Sequence, residues 1–100
     1  MKSMRAPKRK PTHPGELLRL DVLPALNMTQ TDLAKRLGVS RLSVSELLLE
    51  KRALSADMAV RIARLTNTTP ESWLRMQEAL DLWKLERHPK RYRHIEPVAA

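Results

Sequence analysis

Between Thr29 and Arg52 the chain reads TQTDLAKRLGVSRLSVSELLLEKR, and its polar side chains are of types that recognise a ligand rather than transform one. An Arg such as Arg41 can pair bidentately with the edge of guanine, an aliphatic chain such as Leu42 can rest on a thymine methyl, a hydroxyl such as Ser45 can bond to either, and a carboxylate such as Glu46 can accept from cytosine. These four positions share one side of a helix. Thr29, Gln30, Ser40, Ser43, Lys51 and Arg52 flank them and are of types that hold phosphate oxygens, which positions a protein on DNA without reading sequence. Ser40 is also explained as a helix cap. No HExxH, no paired-carboxylate constellation and no glycine-rich phosphate loop accompanies these residues. The chain has no Cys, so disulfides and cysteine-ligated metals are excluded. No catalytic residue, metal ligand or cofactor is expected, and the chain is not read as an enzyme.

Such side chains act only if a rigid scaffold presents them. The pattern predicts an all-α fold of five helices, at about 15–23, 30–37, 41–49, 56–66 and 70–86. Pro24 is expected to limit the first. Thr29 and Asp32 form a capping box ahead of Leu33, Ala34 and Leu37. Gly38 suits the left-handed conformation that ends a helix, and Ser40 can cap the next. Two helices of about eight and nine residues across a three-residue turn form a helix-turn-helix at helices two and three. Ala34 is small where the two approach, Val39, Val44, Leu47 and Leu48 face inward, and Arg41, Leu42, Ser45 and Glu46 are left to enter the major groove. Thr69-Pro70-Glu71 opens the last helix, with cap, proline and first-turn acid in agreement. Its Trp73, Met76, Leu80 and Trp83 exceed one amphipathic face, so they are assigned to a dimer interface or to the core.

The net charge of +8 divides into +5 over residues 1–12, 0 over 13–86 and +3 over 87–100. The chain is therefore read as a basic flexible arm at 1–12, a balanced domain at 13–86, and a basic tail at 87–100 that ends disordered, as a short strand or clasp, or on a partner. His13, His88 and His94 are placed outside the helical core. No apolar run is long enough to span a bilayer, which predicts no membrane partner and a cytoplasmic protein.

The helix-turn-helix resembles that of the lambda-repressor-like XRE superfamily, with its five helices. A closer resemblance covers His13 to Trp83, about seven tenths of the chain, and is carried by HPGE at 13–16, KRALSADMAVRIA at 51–63, TPESWL at 69–74 and QEALDLW at 77–83. These segments are similar to HigA-type antitoxins, also described as virulence-associated protein I. The resemblance implies a homodimer that binds double-stranded operator DNA, represses its own operon, and neutralises a HigB-type toxin, a messenger-RNA endonuclease. It also implies a phosphate contact at Gln30, where related repressors use a Gln. The chain departs from the family at Glu46, Leu49 and Glu50, where relatives often carry a non-acidic residue and a terminal Asn-Gly. Glu46 is left with two expected roles, accepting from cytosine or orienting Arg41. Two alternatives stay open beside the antitoxin-repressor: a solitary XRE-type regulator, and a toxin inhibitor with little sequence-specific DNA binding.

Overall fold

The computed structural model describes residues 9–99, so positions 1–8 of the expected N-terminal arm lie outside it. All regular structure among the described residues is helical. α1 is a continuous helix made of Pro14–Leu17, a π-type stretch Leu18–Val22, and Leu23–Leu26. α2 is Gln30–Leu37, α3 Arg41–Leu48, α4 Ala56–Thr66 and α5 Pro70–Glu86.

The expected stop at Pro24 is corrected, because α1 runs on to Leu26. Proline cannot donate to the carbonyl four residues back and its ring crowds that carbonyl. Here the preceding turn is widened, with the Leu23 N–H reaching Leu18 O, and the chain carries the proline without breaking. The helix ends instead at Asn27, in the left-handed region at φ 51°, with Met28 N–H bonded to Leu23 O at 3.0 Å.

α2 begins with both halves of the capping box, Asp32 N–H on Thr29 Oγ1 and Thr29 N–H on Asp32 Oδ2, each 3.1 Å. The Thr29 backbone N–H first, and the Thr29 side chain next, stabilise the charged form and hold the Asp32 carboxyl below its ordinary pKa. Gly38, at φ 71°, closes the helix with Val39 N–H on Ala34 O at 3.0 Å. Ser40 then caps α3 by accepting from Ser43 N–H at 3.1 Å. Asparagine at position 67, at φ 55°, ends α4, and Thr69 caps α5 through Ser72 N–H.

These short helices are held by one core. Leu18 of α1, Leu33 of α2, Val44, Leu47 and Leu48 of α3, and Ala59 and Ile62 of α4 are all buried, joined by Trp73 of α5. Trp73 Nε1 satisfies itself on Thr68 Oγ1 at 2.8 Å. Buried Gln77 accepts from Leu54 N–H at 2.8 Å and donates to Asp81 at 2.9 Å, tying α5 to the segment that follows α3. After α5 the tail forms one 3-10 turn, Pro89–Arg91, and no strand among the described residues.

Candidate nucleic-acid interface

α3 can present side chains reproducibly only if its ends are fixed; Gly15 and Arg19 of α1 meet carbonyls of its last turn, and His13 holds a carbonyl of the segment just beyond it. Gly15 is packed so closely against α3 that a Cβ there would lie 1.8 Å from Leu47 O. Arg19 donates to Leu48 O and its guanidinium lies 3.7 Å from the Glu50 carboxylate. His13 donates from Nε2 to Arg52 O at 3.1 Å while its Nδ1 accepts from Gly15 N–H at 2.9 Å. The acceptor role of Nδ1 sets the neutral Nε2–H tautomer. Burial lowers the His13 pKa by more than the neighbouring Glu50 carboxylate raises it. The placement of His13 outside the helical core is thereby corrected: it is 4% exposed and caps α1.

The turn into α3 is fixed by a residue from another helix. Arg61 of α4 donates from Nη1 to Leu37 O at 2.8 Å and is aimed by Asp57 at 2.8 Å, so a cation closes the C-terminal end of α2. Past α3, Glu50 takes a left-handed conformation at φ 61°, with Lys51 N–H on Glu46 O at 2.8 Å. A carboxylate residue thus occupies the position usually given to Gly or Asn.

Between these braces the outer face of α3 is open. Arg41 and Leu42 are exposed, Leu42 by 67%, while Ser45 and Glu46 are half-exposed beside them. No ion pair or side-chain hydrogen bond engages Arg41 among the described residues. Ser40 and Ser43 are turned toward each other, hydroxyl to hydroxyl at 2.8 Å, so both are engaged in capping the helix. Glu46 does not orient Arg41: it forms an ion pair with Arg52, Nη2 to Oε1 at 2.6 Å. Lys51 is exposed next to that pair. Thr29 and Gln30 stand at the N-terminal end of α2, Thr29 exposed and Gln30 half-exposed, where free amides and the positive helix end favour an anion.

The four large side chains assigned to dimer or core divide. Trp73 and Leu80 are buried within this chain, and Met76 and Trp83 are half-buried. Trp83 Nε1 is buried without a hydrogen-bond partner among the described residues, and Arg87 lies over its ring at 4.6 Å. Leu82 and Leu85 are exposed on the same helix.

The bracing residues Gly15, Arg19 and Arg61 escape a reading of local pattern, because each acts on a backbone carbonyl more than twenty residues away. A signal for Gly15 did exist: a glycine in the first turn of a helix costs about 1 kcal/mol against Ala, which calls for a compensating reason. Among the described residues no group of acids and histidines could hold a metal, and no helix is long and apolar enough to cross a membrane.

Residues 18–74 match the family described as Helix-turn-helix. The chain is 40% identical over 99 residues to an uncharacterized HTH-type transcriptional regulator, YbaQ, of Escherichia coli K12, covering 96% of this chain and 88% of that one. It is 35% identical to antitoxin HigA-1 of Vibrio cholerae, covering 95% and 90% of the two chains. Among solved structures, Pseudomonas aeruginosa antitoxin HigA with the higBA promoter superposes with a TM-score of 0.80 at 33% identity, over 90% of this chain and all of that one.

Proposed function

The chain belongs to the helix-turn-helix family, among its HigA-type antitoxins and operator-binding regulators, and we propose that it is the antitoxin of a type II toxin-antitoxin system. In this reading a homodimer binds an inverted repeat in its own promoter, represses the operon, and neutralises a HigB-type messenger-RNA endonuclease in the cytoplasm. Dimer symmetry sets half-sites about one helical turn apart, roughly 34 Å.

One observation carries the DNA half: the outer face of α3 is open while Arg19 holds its last carbonyl, His13 holds the segment beyond it, and Arg61 holds the end of α2 that leads into it. Backbone held this way has little freedom left to lose on binding, so the cost of ordering is confined to the exposed side chains. Arg41 is assigned to guanine, with Leu42, Ser45 and Glu46 as its neighbours in the groove. Thr29, Gln30, Lys51 and Arg52 are assigned to phosphates, with Ser40 and Ser43 supporting the helix start. The antitoxin half is supported by the similarity to antitoxin HigA-1 over 95% of this chain. The dimer is assigned to α5, where Leu82 and Leu85 are exposed and Met76 and Trp83 only partly covered.

The toxin half is tested by expressing whatever small protein the reading frame adjoining this gene encodes, alone and with this chain, and following growth. Arrest by the neighbour that is relieved by co-expression supports the antitoxin. A neighbour without effect on growth leaves a solitary regulator. A second reading, a toxin inhibitor that binds DNA only weakly, is favoured by the Glu46–Arg52 pair, which neutralises one cation of the groove face.

A further inference from the structure

We infer that Glu46 sets the sequence specificity of DNA binding by holding the Arg52 guanidinium as an internal substitute for phosphate. Arg52 is given up to the DNA backbone only where Glu46 meets a cytosine amino group in exchange. This rests on the reading of α3 as the groove-facing helix.

The contact has the chemistry of the one it replaces. Arg52 Nη2 lies 2.6 Å from Glu46 Oε1, and guanidinium pairs with the oxygens of carboxylate and phosphate through the same charge-assisted bonds. Both side chains remain within reach of a ligand, 45% exposed for Arg52 and 35% for Glu46. Exchange needs no movement of the loop, since the Arg52 carbonyl is anchored by His13 Nε2–H at 3.1 Å and only the side chain has to turn. Arg41 and Lys51, the other cations of this face, have no acid partner among the described residues and are not restrained in this way.

The two partners of the pair then fare differently on different DNA. Every duplex offers Arg52 a phosphate, so its own gain is independent of sequence. A carboxylate stripped of its cation beside a polyanion is repelled. In the major groove cytosine alone presents only an amino donor to such a group, so the repulsion is offset where cytosine stands opposite Glu46 and persists where it does not. Discrimination arises from a penalty on the wrong sequences as much as from a bond on the right one.

The test is fluorescence anisotropy of the full chain, E46Q, R52Q and the double variant on the chain's upstream promoter and on a shuffled duplex, from about 50 to 200 mM salt. In E46Q, Arg52 is free for phosphate. Binding of the shuffled duplex is expected to tighten about three- to tenfold, with a log–log salt slope steeper by about 0.9, the value for one more phosphate contact. The promoter-to-shuffled ratio is expected to fall by about tenfold, within the discrimination that one base contact supplies. Introduced into R52Q, the same substitution is expected to leave the slope unchanged. An equal steepening in both backgrounds means that removal of negative charge alone acts, and overturns the inference. So does an undiminished ratio in E46Q while the unaltered chain still prefers its promoter. If the unaltered chain prefers neither duplex, the groove-facing role of α3 falls and the inference falls with it.

Discussion

Replacing Gly15 by alanine should unseat α3 although position 15 is not among the proposed DNA contacts. The added Cβ would lie 1.8 Å from Leu47 O, 2.8 Å from Leu47 C and 3.1 Å from His13 Nδ1. An ordinary contact with a carbonyl oxygen is well over 3 Å, and both close atoms are backbone, so α1 has to retreat from α3 by more than an ångström. That retreat opens the packing of fully buried Leu18, whose burial contributes about 2 kcal/mol, and disturbs the Gly15–His13 bond, worth about 1 kcal/mol. Strain from overpacking adds about 1 to 3 kcal/mol, and the better helix propensity of Ala returns about 1 kcal/mol. The net is a loss of about 3 to 5 kcal/mol from a domain whose whole stability is on the order of 5 to 10 kcal/mol. In thermal melts followed by far-UV circular dichroism the midpoint should fall by at least about 12 °C. A variant melting within about 3 °C of the unaltered chain would refute the close approach and, with it, the bracing of α3 by α1.

Further outcomes follow from the same contacts. The depressed His13 pKa means that the unfolded chain takes up the proton first, so stability is present above about pH 6.5 and is lost as pH falls from there toward the folded-state pKa. His13→Asn, which keeps a capping side chain, should show a smaller drop in melting temperature between pH 7.5 and 5.5, readings chosen to lie roughly one unit either side of that value; an identical drop would remove His13 as the source. Glu50→Asn should stabilise by about 0.5 kcal/mol, because relief of a left-handed glutamate outweighs the exposed pair with Arg19, and denaturant titration reads this directly. Arg41→Ala should weaken promoter binding by about 1 to 3 kcal/mol and relax selectivity at one base pair, whereas Lys51→Ala should weaken all duplexes alike and lower the salt slope by about one. Equal losses for Arg41→Ala on promoter and random DNA would remove it as a base reader.

The fold was legible in the sequence where its determinants are local. Thr29, Asp32, Gly38 and Ser40 act on backbone within five residues of themselves, and the structure uses each of them as a cap or turn. The inward seam of Val44, Leu47 and Leu48 follows from helical period alone. Legibility failed where a residue acts at long range or where two local rules compete. Pro24 is an ordinary helix stop, yet a widened turn before it absorbs the missing N–H, and no side-chain type announces such a turn. His13 read as a terminal residue because its partner, a carbonyl 39 residues away, has no identity in the sequence. Spacing places Glu46 on the outer face, but its partner depends on where the segment after α3 doubles back to bring Arg52 to it, which periodicity does not specify.

The central claim is that the outer face of α3 reads sequence, and binding of the purified chain to its own upstream promoter and to a shuffled duplex of equal length across a salt series tests it most directly. A preference for the promoter of about 10³ or more is the predicted result, within the range of specific DNA-binding proteins. Weak binding to both duplexes with one common salt slope would contradict it, leaving phosphate contacts alone at work.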